Sequence, residues 1–321
     1  MCVVSFFSPS GYKIIKPKES KSMYVTYLPI ESRSDVKAFI ESVKPEKIFW
    51  IKYELWLITL EEIFAAKIPT YLVSARFYEG HFISKWWAGL WRNCLSRFTR
   101  VFVQEEDSKN LLLRLGLESI VSGDLRFDNV LNMVKSKNYH DDVSNWSKKE
   151  NVLILGSSWP KEEEIAFAFL KTNPLVNGII VPHDVSIQHI SAIKNQLKEL
   201  DISFSLWSSG DLKEGHQVLV VDVIGVLSQL YPHARLAFVG GGFSGALHNV
   251  LEPLAWNLPV VTGPKIHKNW EAKDAFDKNI LIIVKQYSDL QKVWEELTVS
   301  NRPIEYIRKN SGALNVIISN L

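Results

Sequence analysis

The chain predicts an α/β fold of two Rossmann-like lobes facing a cleft, each a parallel sheet with helices on both faces. Three observations predict it. Short apolar runs alternate with helix-length amphipathic stretches, the signature of βα units feeding a parallel sheet. The alternation occurs twice, on either side of a polar, charged stretch at Asn132–Asn151 that lacks apolar periodicity. The length of 321 residues is long for one core and suits two domains of roughly 150 residues each.

In order, Val3–Phe7 and Met23–Tyr27 read as strands, Ser34–Val43 as a helix and Lys47–Ile51 as a strand. Helix Leu55–Ala66, strand Thr70–Ser74, an aromatic helix, strand Arg100–Val103 and helix Glu105–Leu115 follow. The first lobe is placed at residues 1–135 and the linker at 136–150. The second series, residues 151–303, has strand Asn151–Leu155, helix Lys161–Lys171, strand Gly178–Pro182 and helix Ser186–Leu200. Strands near Phe204–Trp207 and Val218–Val221 and a short helix Gly225–Leu230 lead into a glycine-rich unit. A final helix, about Ile304–Ser319, crosses back to brace the first lobe, so residues 304–321 stand apart from the second.

With 46% hydrophobic and 22% charged residues, no internal repeat and no low-complexity segment, this is an ordinary folded protein. A formal charge of +2 gives no global reason for a nucleic-acid partner. Cys2 and Cys94 are too few for a disulfide frame or a metal cluster, which fits a reducing cytoplasm. No apolar run approaches the ~18–20 residues that span a bilayer.

The most informative stretch is Leu236–Glu271, LAFVGGGFSGALHNVLEPLAWNLPVVTGPKIHKNWE. An apolar strand breaks into Gly240, Gly241 and Gly242, a helical pattern carries His248, Asn249 and Glu252 on one face, and a second strand ends at Thr262-Gly263-Pro264. Glycines after a strand let backbone amides approach an anion, and a following helix turns its positive end towards it. The unit reads as a phosphate cradle, with the polar face gripping sugar or ribose hydroxyls. Gly240–Gly245 also matches G-x-G-x-x-G, but a dinucleotide site needs an acid about 20 positions on, where this chain has Thr262-Gly263-Pro264-Lys265. A purely structural glycine turn is the bland alternative.

From Arg76 to Arg100, Phe77, Phe82, Trp86, Trp87, Trp91 and Phe98 interleave with Lys85, Arg92, Arg97 and Arg100. On a helix, such a stripe suits a membrane interface, where rings sit at headgroup depth and cations meet anionic lipid. A core helix with a basic solvated edge gives the same pattern.

Blocks along nearly the whole chain resemble the 3-deoxy-D-manno-octulosonic acid (Kdo) transferases, in a version seen in Bacteroidetes-type bacteria. They are Lys44-Pro45 with Phe49–Trp56, Ile68–Arg76, Val103–Ser108, Ser122–Asp128, Gly156–Pro160, Asp222–Gly225 and Gly240–Glu271. The resemblance implies the two-lobed GT-B glycosyltransferase fold and metal-independent transfer of Kdo from CMP-Kdo to the lipid A precursor, with no cofactor. It places the protein at the cytoplasmic face of the bacterial inner membrane, in contact with anionic lipid. A non-catalytic CMP-sugar-binding protein and another two-lobed nucleotide-sugar transferase or epimerase are the alternatives.

The resemblance assigns donor binding to Ser157, Ser158, His183, Gly240, Gly241, Gly242, His248, Asn249 and Glu252. Ser157 and Ser158 read equally as a helix N-cap, His183 as a structural histidine and Glu252 as a solvated carboxylate. Arg126 is the cation for the donor's carboxylate or the acceptor's phosphate. Glu54, after an apolar strand, is either a buried helix cap or an acceptor-site acid, and it is the catalytic candidate.

Gly225-Val226-Leu227 lacks the acid that many relatives carry there, and Asn269 precedes Trp270 one place later than usual. Met1–Ser5 aligns with the family's second strand, so the resemblance implies a first lobe that starts late, lacking an anchor, a strand and the loop bearing the family's base. Poor transfer by these residues alone is the corresponding expectation.

Overall fold

The computed structural model describes residues 1–52, 54–136, 143, 146, 151–210, 212, 215–298 and 300–321. They form two compact units, Met1–Leu125 with Gly312–Leu321, and Arg126–Ser311.

The first unit runs β1 (Cys2–Phe6), α1 (Pro9–Ile15), β2 (Met23–Tyr27), α2 (Arg33–Val43), β3 (Ile48–Ile51), α3 (Leu57–Ala65) and β4 (Thr70–Ala75). It continues with α4 (Gly89–Ser96), β5 (Arg100–Val103), α5 (Glu106–Arg114) and β6 (Ile120–Val121). Its sheets are parallel, β1 with β2, and separately β3-β4-β5-β6 in that order. β4 is buried along its whole length, as a central parallel strand covered on both faces must be. Leu72 and Ala75 face Leu60, Ile63, Leu95 and Leu112 of the helices on one side. Tyr71 and Val73 face the other side, where Ile317 covers them together with Phe102. The left-handed backbone at Ser74 (φ 56°) resets the alternation so that Ala75 shares a face with Leu72.

The second unit contains α6 (Leu125–Lys135, from Arg126), β7 (Val152–Ser158), α7 (Pro160–Thr172), β8 (Asn177–Pro182), α8 (Ile187–Glu199), β9 (Phe204–Leu206) and β10 (Val218–Val220). Then come α9 (Leu227–Leu230), β11 (Leu236–Val239), α10 (Leu251–Ala255), β12 (Val260–Thr262), α11 (Trp270–Asp277), β13 (Leu281–Ile283), α12 (Tyr287–Glu296) and α13 (Arg302–Asn310). Its strands make one parallel sheet in the order β13-β12-β11-β7-β8-β10-β9. Val152 and Ile154 enter the core beneath α10 and α13, while Leu153 and Leu155 enter the opposite core with Ile165 and Phe169 of α7. Strand order reverses between β7 and β11, which makes their carboxyl ends the topological switch point.

Four expectations change. Helix α6, expected in the first lobe, packs Phe127 and Val130 into the second core, with Phe127 beside Trp270 and Tyr306. Most of the expected linker lies outside the described residues, and Val143 and Trp146 within it are buried in that same core. The final helix is two, because Gly312 sits at φ 108°, outside helical space. Only the second of them, α14 (Ala313–Ser319), belongs to the first unit.

The aromatic segment is a short 3₁₀ turn at Phe82–Ser84, a loop, and α4. Phe77, Ile83 and Phe98 are buried there, whereas Trp86 is 89% and Leu90 70% exposed, with Trp87 half-exposed and Trp91 half-buried. A single amphipathic stripe therefore does not describe it. The rings divide between a core set and a set left in solvent. Among the described residues, no helix is long and apolar enough to cross a membrane.

Candidate functional site

At the switch point, β7 leaves the sheet through Gly156-Ser157-Ser158. Ser157 is in the left-handed region (φ 53°), and the β7–β8 register shifts between Gly156 and Ser158. A non-glycine residue held there costs on the order of 1–3 kcal/mol and persists only where its surroundings fix it. The kink turns Ser158 inward, where its hydroxyl donates to Glu163 Oε1 at 2.8 Å, and His189 Nε2 lies 3.1 Å from the same oxygen. The N-cap of α7 is Trp159, with no side-chain capping bond. The two serines are therefore not a plain cap. Ser158 anchors the turn, and Ser157 stays partly open at its apex.

The chain leaving β11 passes directly over that turn. A Cβ on Gly240 would lie 2.0 Å from the Ser157 carbonyl oxygen, and one on Gly241 (φ 85°) would lie 2.1 Å from the Ala246 carbonyl oxygen. Only glycine fits either place.

Beyond this point the structure corrects the sequence expectation. The stretch carrying His248 and Asn249 is a loop. The helix is α10 alone, five residues long from Leu251, and Gly245 upstream of the loop is left-handed at φ 85°. Backbone bonds run instead from Gly245 N–H to the Gly241 carbonyl (3.0 Å) and from His248 N–H to the Gly240 carbonyl (3.1 Å).

The cradle is also partly filled from within. Gly241 N–H donates to Glu162 Oε1 at 2.9 Å, so a carboxylate of the chain occupies an amide expected to face phosphate. Glu162 is 1% exposed, and its other oxygen, Oε2, is buried without a hydrogen-bond partner. Burial pushes its carboxyl above the usual range, and donated backbone hydrogen bonds oppose that shift. No feature of the sequence marks this role. Glu162-Glu163-Glu164 reads as acid in the first turn of α7, where the helix dipole favours it.

Three rings meet above the turn. Trp159 stacks on His183 with centroids 4.7 Å apart, and His183 lies 4.5 Å from His248. Trp159 Nε1–H donates to His248 Nε2 at 3.3 Å. Burial, then the neighbouring His183, lowers the His248 pKa. Asn249 accepts from Leu251 N–H (3.0 Å) and donates to Glu252 Oε1 (3.0 Å). Burial raises the Glu252 carboxyl, and that bond from Asn249 opposes it. Beneath lies the wholly buried Tyr231, whose hydroxyl is raised by burial and by the charge of Glu252. Glu252 is half-buried, not a freely solvated helix carboxylate.

Ser157, Ser158, His183, Gly240–Gly242, His248, Asn249 and Glu252 thus share the carboxyl edge of one sheet in the second unit. Arg126 lies in the same unit, and Glu54 lies in the first unit. Arg126 binds Glu271 through two bonds, 2.7 and 3.2 Å, tying α6 to α11. The pair sets a 40% exposed guanidinium against a buried carboxylate. Glu54 is exposed in the loop after β3, where its carbonyl accepts from Trp50 Nε1–H at 2.7 Å. It does not cap a helix, since the first turn of α3 is met by Glu31, which accepts from Ile58 N–H at 2.9 Å. It borders an aromatic recess of the first unit with Trp56, Tyr78, His81, Phe82 and Trp91.

Residues 1–129 match the family profile described as 3-deoxy-D-manno-octulosonic-acid transferase (kdotransferase). The chain is 26% identical over 324 residues to the 3-deoxy-D-manno-octulosonic acid transferase of Rickettsia bellii, covering 99% of this chain and 77% of that protein. The Aquifex aeolicus enzyme of the same name is 27% identical over 317 residues, covering 94% of this chain and 82% of that protein.

The first 129 residues carry the Kdo transferase profile, and nearly the whole chain is similar to Kdo transferases.

Among solved structures, the UDP-GlcNAc 2-epimerase of Neisseria meningitidis matches with a TM-score of 0.65 at 14% identity, covering 99% of each chain. That likeness confirms a fold of two Rossmann-like lobes, the GT-B type.

Glu162 sets a test. With both the Glu162 and Glu252 carboxyls raised above 4.5, the folded state holds protons that the unfolded state has already released. Their contribution is fully favourable below about pH 4.5 and declines as pH rises towards the raised values. Glu162→Gln keeps an oxygen for Gly241 and removes the buried charge, so urea titrations from about pH 4 to about pH 7 should show a shallower decline than wild type. Glu162→Ala leaves the Gly241 amide unpaired and should cost about 1–3 kcal/mol at every pH. Identical slopes in wild type and Glu162→Gln would show that Glu162 ionises without penalty.

Proposed function

We propose that the chain is a glycosyltransferase that moves Kdo from CMP-Kdo to a lipid A precursor in lipopolysaccharide synthesis. The observation that carries this reading is family similarity across nearly the whole chain, converging on a polar site at the switch point of a parallel sheet. In that site the amides of the Gly240–Asn249 loop that are not already bonded within the chain, as those of Gly240, Gly241, Gly245 and His248 are, would take the donor phosphate. His183, His248, Asn249 and Glu252 would meet its sugar hydroxyls or the Kdo carboxylate. The hydroxyl of Ser157, at the apex of the strained turn, adds a further donor. Preorganised donors of this kind can take up a leaving phosphate's charge as the glycosidic bond to CMP breaks.

The acceptor would bind the first unit. Glu54, at the rim of its aromatic recess, is the proposed base for the attacking hydroxyl. Trp86, Trp87 and Leu90, left in solvent next to Lys85, form the proposed contact with the anionic cytoplasmic face of the inner membrane.

Calorimetry should show CMP binding tighter than UDP, and Glu252→Ala should weaken CMP by about 1–3 kcal/mol. In a transfer assay, Glu54→Gln should lower the rate by about 10²–10⁴-fold without changing CMP affinity. Tighter UDP binding would remove the donor assignment, and an unchanged rate would remove Glu54.

The membrane contact is checked by liposome flotation. Anionic vesicles should carry the chain up the gradient at low salt and release it at higher salt, as screening shortens to about 8 Å near 0.15 M. Replacing Trp86, Trp87 and Leu90 with Ser should abolish flotation. Flotation that survives the triple change would place the contact elsewhere.

A further inference from the structure

In the stack of Trp159, His183 and His248, one contact has an unambiguous direction. The indole N–H can only donate, and its acceptor is His248 Nε2 at 3.3 Å. An imidazole nitrogen that accepts carries no proton, so the proton of this ring sits on Nδ1. We infer that Trp159 is a positioning residue that holds His248 neutral, as the Nδ1–H tautomer, and so fixes which nitrogen of His248 can donate to a phosphate or sugar at the switch point.

The surroundings agree. Protonating Nε2 would break the indole bond and put a cation against His183, whose ring centroid is 4.5 Å away. Burial already disfavours the charged form. The charged groups on the surrounding elements are engaged elsewhere. Glu162 accepts from Gly241 N–H, and Glu163 meets Ser158 and His189. Asp184, beside His183, accepts from Ser186 through both its amide and its hydroxyl. Glu252 accepts from Asn249. Lys265, after β12, lies against the Gly245 turn. Among the described residues, the side chain hydrogen-bonded to His248 is Trp159, and no carboxylate there stabilises an imidazolium.

Two consequences follow. The site presents a neutral donor rather than a cation, so ligand affinity draws no pH dependence from His248 near neutrality. The replacement Trp159→Phe, which keeps a ring in the stack but removes its N–H, hands both nitrogens back to the solvent equilibrium. The ligand half of the inference rests on the donor site proposed above, whereas the tautomer belongs to the free chain.

The test uses ¹⁵N-labelled full chain and imidazole long-range correlation spectra near neutral pH. His248 should show a protonated Nδ1 and a bare Nε2. An Nε2–H tautomer or an imidazolium would overturn the inference from the wild-type spectrum alone. In Trp159→Phe the tautomer preference should disappear and the His248 midpoint should rise by roughly half a pH unit to one unit. An unchanged midpoint and tautomer would leave Trp159 a packing residue only. Calorimetry with CMP across the same pH range should show affinity strengthening more on acidification for Trp159→Phe than for wild type, since the titration of the phosphate itself, at about pH 6, is common to both. The Nδ1–H tautomer in a chain that does not bind CMP would overturn the donor site while leaving the Trp159–His248 pair standing.

Discussion

The site depends on one backbone-on-backbone contact, Gly240 lying against the carbonyl of Ser157 where β7 and β11 leave the sheet. Gly240 N–H still donates to the Gly156 carbonyl at 2.9 Å, so the pairing of the two strands extends past their last ladder residues. Any side chain at Gly240 would collide with main-chain atoms, which cannot move aside as a flexible side chain can. The contact holds two segments distant in sequence, 156–162 and 240–249, within bonding reach of one another. The Glu162 bond to Gly241 and the Trp159 bond to His248 both span those segments and exist because of it.

The sequence makes the sheet legible because buried parallel strands are written as nearly unbroken apolar runs. Leu236–Val239 and Val152–Leu155 can be read in no other way, and their glycine and serine exits mark the switch point. Less legible is whatever depends on a partner far away in the chain. Arg126 reads as a free cation until Glu271 is seen beside it, and Phe127 reads as part of the first lobe until Trp270 is. The helix expected from His248 onward has the right spacing, but Asn249 accepts from Leu251 N–H as a loop residue and the helix starts only at Leu251. Glu162 and Trp159 carry no local signal, because burial and ring contacts come only with the tertiary fold.

The chemistry of the site differs from a simple cationic phosphate trap. Beside Lys265 at the Gly245 turn, the groups gathered there are amides, hydroxyls, two adjacent imidazoles and two carboxyls whose burial favours the neutral form. Neutral, directional donors select by geometry, where a lysine or arginine would attract any anion. The strained Ser157 and the tightly packed glycines fix those directions before a ligand arrives, which is how a preorganised site limits the ordering cost of binding.

Whether the donor nucleotide sits at the β7–β11 switch point can be read from amide hydrogen–deuterium exchange of the full chain with and without CMP. CMP should slow exchange at residues 157–159 and 240–249 and leave the strand interiors unchanged. Unaltered exchange in both segments, with protection appearing instead around Glu54 and Trp56 in the first unit, would contradict that placement.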